Sequence, residues 1–83
     1  MEQEVTNAPE LTFGQKAVGI TFNPSNNGEV DRCKQQFANC IDQMQALRTN
    51  ESATAEQKRL ASVAITELQG AQMWAVKALT WRD

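Results

Sequence analysis

At 83 residues with a net charge of −2, the chain fits one small domain, which buries only about 60% of its unfolded surface and has a marginal core by itself. The mild charge argues against a duplex nucleic acid as partner, which calls for a basic face, and no apolar run approaches the roughly 20 residues of a membrane span. The chain has no histidine, and Cys33 and Cys40 are its only cysteines, so neither imidazole acid–base chemistry nor a four-ligand Cys/His zinc site is available.

Residues 1–10 (MEQEVTNAPE) read as a loose tail, too acidic and polar for a signal peptide. Residues 11–28 form an N-terminal arm and loop. Its first part, Leu11 to Ile20, is mildly apolar and interrupted by Gly14 and Gly19, as a short helix or an extended arm would be. Next comes TFNPSNNGEV, Thr21 to Val30. Asn26 and Glu29 have capping-box spacing, with Asn in place of the usual Ser or Thr. The first long helix is expected over 29–48. Val30, Cys33, Phe37, Cys40, Met44 and Leu47 recur in steps of three and four, a narrow seam like that of a coiled coil. In that helix Cys33 and Cys40 stand about 10 Å apart along the axis. Bridged cysteines have Cα atoms within about 7 Å, so two reduced thiols are expected, in keeping with the cytoplasm.

TNESAT, Thr49 to Thr54, is turn-rich, and Thr54 with Gln57 repeats the capping-box spacing. The second long helix is expected over 55–82, about 40 Å long. The short turn makes the two helices antiparallel neighbours. The second helix carries two apolar stripes. One is Leu60, Ala64, Ala71, Trp74, Ala78 and Trp81; the other is Ala61, Ile65, Leu68, Ala75 and Leu79. One hairpin partner covers one face, so the excess around MWAVKALTW predicts packing against further subunits. The alternative is a fragment of a larger protein.

Catalytic signatures are scarce: there is neither a G-x-S-x-G elbow nor a P-loop. An enzyme is not expected, and neither is a cofactor or a metal. A binding site is easier to build. Phe22 precedes a helix start, Asn26 to Val30 present free helix amides, and Lys34 follows little more than a turn later. An aromatic for a base and amides with a cation for phosphate are parts of a nucleotide pocket. The alternative makes Phe22 a staple packed on the hairpin and Lys34 a surface charge. Lys77, Trp81 and Arg82 form a second cationic cluster, which gains meaning if symmetry brings copies together. Arg59 is expected to pair locally with Glu56.

Three stretches carry a resemblance to a known family: F-N-P-S-N-N-x-x-V-x-x-x-K (Phe22 to Lys34), A-N-C-I-D (Ala38 to Asp42) and R-L-A-S-V-A-I-T-E-L-Q-G-A-Q-M-W-A-V-K (Arg59 to Lys77). Over about residues 20–82 the chain resembles the phage helical-hairpin nucleotide sponges, a family with anti-CBASS and anti-Thoeris members. The resemblance implies an all-α antiparallel hairpin with a short N-terminal arm or helix, assembled into a compact homo-oligomer, a hexamer by preference. It implies sequestration, without cleavage, of cyclic dinucleotides such as cyclic GMP-AMP and cyclic trinucleotides such as cyclic tri-AMP, in the cytoplasm of the infected bacterial host. The stacking aromatic, often tyrosine in the family, matches Phe22, which lacks the hydroxyl. The early basic residue of the first long helix matches Lys34, with Arg32 as the fallback, and Asn23 joins them by adjacency. Arg82 matches the arginine that meets trinucleotide phosphates, with Lys77 of the same cluster beside it. An anti-Thoeris sponge for a cyclic ADP-ribose-type signal, or a small helical adaptor that binds a host protein, are the alternatives.

Overall fold

Thr12 starts the first element. In a computed structural model that describes residues 10–83, its side chain accepts from the Gln15 amide, and the Gln15 side chain accepts from the Thr12 amide. This capping box opens α1, Phe13–Val18. The arm is therefore a short helix, and Thr12 with Gln15 is the signal in the sequence that marks it. Gly19 ends it at φ 64, and the Ile20 amide returns to the Gln15 carbonyl at 3.0 Å. That left-handed closure favours glycine. The expected loose tail lies, except for Glu10, outside the described residues.

α2 spans Gly28–Arg48. Its cap is Asn27, not the expected Asn26: the Asn27 side chain accepts from the Glu29 amide at 2.9 Å. Asn26 sits at φ 56, in the left-handed region that asparagine tolerates. An N-cap needs extended backbone, so the residue that turns the chain cannot also cap the helix. α3 spans Ala55–Thr80, and Thr54 with Gln57 forms its capping box. Thr54→Ala should lower stability by about 1 kcal/mol, read as an earlier midpoint in chemical denaturation with an unchanged slope. The helix stops two residues short of the expected end. Trp81 is extended, at φ −63 and ψ 137, so Arg82 lies beyond the helix.

α2 is the middle layer. It packs along α3 on one side and α1 on the other, while α1 and α3 barely touch. Val18, Ala38, Ile41 and Ile65 form the buried centre, with Ala17, Ile20, Phe37, Met44 and Leu68 packed around it. This rotates the expected seam of α2. Its buried residues are Val30, Lys34, Ala38 and Ile41, whereas Cys40 is exposed and Cys33 half-buried, both as free thiols. The shift is nearly one residue, about 100° of helix. The cause is α1, which covers the flank bearing Ala38 and Asp42. Gly14 meets the Ala38 carbonyl there, and its amide donates to Asp42 Oδ1 at 2.6 Å. Arg48 ties the far end together. Its side chain donates to Gln45 at 2.6 Å and Ser62 at 3.0 Å, and its guanidinium lies 5.4 Å from the Phe13 ring.

On α3, Ala61, Ile65 and the unexpected Gln72 are buried against the hairpin, with Leu68 partly so. The other stripe faces outward, with Leu60, Trp74 and Trp81 exposed; Val63, Met73 and Leu79 are exposed as well. No described helix is long and apolar enough to cross a membrane.

Candidate functional site

The antiparallel hairpin sets the start of α2 beside the end of α3. The loop between α1 and α2 therefore lies over the last turns of α3. Phe22, Asn23, Pro24 and Ser25 of the loop, Val30 and Lys34 of α2, and Val76 and Thr80 of α3 line a cleft of about 210 Å³. Phe22, Asn23 and Lys34, the expected dinucleotide residues, thus share one cleft. Val76 and Thr80 were not expected there. They lie one turn apart on one helix face, but placing them needs the register of the hairpin.

The loop is held by its own side chains. Asn23 Nδ2 donates to the Asn27 carbonyl at 2.9 Å and to Asp31 Oδ1 at 3.0 Å, and Asn23 Oδ1 accepts from Ser25 Oγ at 2.6 Å. Ser25 Oγ in turn accepts from the Asn27 amide at 3.1 Å. Pro24 occupies the second position of the turn closed by the Asn26 amide and the Asn23 carbonyl, where its fixed φ is favourable. Both ends of the Asn23 amide are engaged, by the loop and by Asp31 of α2, so its side chain builds the cleft wall.

Both halves of the staple alternative fail. The Phe22 ring is 70% exposed, and Lys34 is only 5% exposed. The Lys34 ammonium lies under the loop, donating to the Gly19 carbonyl at 2.9 Å and to the Phe22 carbonyl. It stands 5.6 Å from the Phe22 ring centroid, within reach of a cation–π attraction. Among the described residues no carboxylate comes within 4.0 Å of it; the ion pairs there are Arg32–Glu29 and Arg59–Glu56. Carbonyl dipoles solvate the ammonium without cancelling its charge, and the Asp31 carboxylate is engaged by Asn23 at 3.0 Å. Arg32 lines no part of this cleft. It is exposed and reaches back to Glu29 at 2.8 Å.

The C-terminal cations are arranged differently. Lys77 lies 5.3 Å from the Trp74 ring and 5.9 Å from the Trp81 ring, and lines a shallow cleft with Met73 and Trp74. Arg82 lines a more polar cleft with Ser25, Asn27, Leu79, Thr80 and Trp81. One chain does not bring Lys77 and Arg82 into a single cleft. The Arg82 cleft instead borders the Phe22 cleft, sharing Ser25 and Thr80 with it. Arg59 and Glu56 pair at 2.7 Å on the surface, which holds the Glu56 carboxyl below its usual range and raises the Arg59 guanidinium.

A three-helix chain with a long hairpin, an aromatic rim and a cation beneath it has the parts of a small-anion binder. Residues 15–80 match the Acb2/Tad1, hairpin domain family model, and the chain belongs to that family of phage anti-CBASS and anti-Thoeris sponge proteins. Its members are non-catalytic and bind cyclic nucleotide signals. No curated protein and no solved structure matches the chain.

Proposed function

We propose that this protein sequesters cyclic di- and trinucleotide messengers of bacterial CBASS defence in the cytoplasm of the infected host without cleaving them. The observation that carries the reading is an exposed Phe22 ring at the rim of a cleft whose floor holds the buried Lys34 cation. The ring stacks a base, and the cation and its remaining N–H face a phosphate. Asn23 keeps the wall in place.

The cleft of about 210 Å³ is smaller than the roughly 300–1,000 Å³ of small-molecule sites. One chain therefore covers one side of the ligand, and a second copy closes the other. The exposed Leu60, Val63 and Trp74 of α3 supply apolar surface for such an assembly, a hexamer in this reading. Trinucleotides bind where copies of Arg82 and Lys77 converge, because several cations about an axis repel one another until an anion fills the gap.

The test is calorimetry and sizing with cyclic GMP-AMP, cyclic tri-AMP and a cyclic ADP-ribose-type signal, followed by heat denaturation and recovery of the nucleotide. Binding of the first two with intact recovery supports the reading. Binding of the ADP-ribose-type signal alone makes the protein an anti-Thoeris sponge, and no binding at all favours a protein-binding adaptor. Arg82→Ala should weaken cyclic tri-AMP binding by about fivefold or more, since each converging copy loses an exposed charge contact worth up to about 1 kcal/mol, and leave cyclic GMP-AMP binding unchanged. Equal losses for both ligands would merge the Arg82 and Phe22 clefts into one site.

A further inference from the structure

We propose that Lys34 is a positioning residue for Phe22: its ammonium clamps the turn that carries the ring, and much of its effect on ligand affinity runs through that ring. The inference rests on the reading of the cleft as a nucleotide site. It adds a role for Lys34 that is already in force in the ligand-free protein.

The geometry of residues 19–22 carries the argument. The Phe22 amide donates to the Gly19 carbonyl at 2.9 Å, closing one turn. The Gly19 and Phe22 carbonyls stand at the two ends of that turn, and Lys34 Nζ takes both. An ammonium has three N–H donors, so the clamp uses two and leaves one. The same nitrogen lies 5.6 Å from the Phe22 ring centroid, which couples the orientation of the ring to the clamp.

Little else anchors this stretch. Thr21, Phe22, Pro24, Ser25 and Asn26 are all exposed, so the turn has no buried apolar side chain between Ile20 and Val30. The Asn23 network fixes the second half of the loop onto α2, through Asn27 and Asp31. Among the described residues, Lys34 is the polar side chain that reaches the first half. It is itself pinned by burial in α2, so it has few rotamers to lose when it grips the turn. Holding the ring in place before the ligand arrives spares the complex the ordering cost of the loop.

The experiment compares the full chain with Lys34→Met, Phe22→Ala and the double variant. Hydrogen exchange is followed without ligand, and cyclic GMP-AMP is the binding probe. Lys34→Met keeps the stem and removes the donors. The Phe22 amide should then exchange roughly tenfold faster or more, while the central amides of α2 and α3 keep their protection. Phe22→Ala should leave exchange at position 22 near the wild-type rate. In binding, the double variant should be scarcely weaker than the worse single variant, the non-additivity of coupled residues. Unchanged exchange at Phe22 in Lys34→Met, or additive losses in the double variant, would overturn the proposal and leave Lys34 as a ligand contact only.

If Lys34→Met loses its helices, Lys34→Arg decides the matter. It keeps donors at the clamp and should retain both the slow Phe22 exchange and most of the affinity. Slow exchange with affinity lost would overturn the proposal. Failure of the wild-type protein to bind cyclic GMP-AMP would instead sink the nucleotide reading, and the exchange result would stand apart from it.

Discussion

Phe22→Ala is expected to weaken cyclic GMP-AMP binding by about 1–3 kcal/mol, the worth of one base stacked on an aromatic ring. That is a loss of roughly 5- to 150-fold in affinity. The ring is 70% exposed and contributes little to the hairpin core, so the melting temperature of the ligand-free protein should stay nearly unchanged. Cyclic tri-AMP binding should also survive, because that ligand is assigned to Arg82 and Lys77. Titration calorimetry with both nucleotides on wild type and variant checks all three expectations. A cyclic GMP-AMP affinity within twofold of wild type would remove Phe22 from the site, and equal losses for both ligands would join the two proposed sites.

Gly14→Ala should strongly destabilise the protein. A Cβ at position 14 would stand 2.1 Å from the Ala38 carbonyl oxygen and 2.8 Å from Asp42 Oδ1. The first of these is backbone and has no rotamer to change. α1 must therefore lift from α2, and its Gly14 amide loses the 2.6 Å bond to Asp42. Overpacking costs about 1–3 kcal/mol, and the lost bond to a charged group about 1.5–3 kcal/mol. For a domain of this size each kcal/mol moves the midpoint by about 4–8 °C, so a fall of more than about 10 °C is expected at matched protein concentration. Since α1 leads into the turn at residues 19–22, cyclic GMP-AMP binding should fall as well. A variant that melts with the wild type would show that α1 docks with more slack than this geometry allows.

The helices were legible because periodicity and caps are local. The three- and four-residue spacing in α2, the unbroken run without proline in α3, and the Thr54–Gln57 box are all properties of neighbouring residues, and α2 and α3 formed close to their expected spans. One local signal misleads and another goes unread. Asn26 has the spacing of a cap, but a left-handed turn claims it and passes the cap to Asn27. Thr12 and Gln15 form a capping box that marks α1 as a helix. The surplus of apolar residues on α3 was visible as composition, and the exposed Trp74 shows which stripe remains uncovered.

By itself the sequence determined an all-α hairpin, its turn positions, and the family-like run from Phe22 to Lys34. Only the tertiary structure decided what those residues do with one another. The packing of α1 onto α2 rotated the buried face from the Cys33–Cys40 side to Lys34 and Ala38. The antiparallel register brought Val76 and Thr80 under the loop and set the Arg82 cleft beside that of Phe22. Lys34 became a buried clamp because Gly19 turned the chain back across α2 and set two carbonyls above its ammonium. Helical period reports which residues share a face of one element. Which face is covered, and by what, depends on contacts between residues far apart in the chain, and no local spacing encodes them.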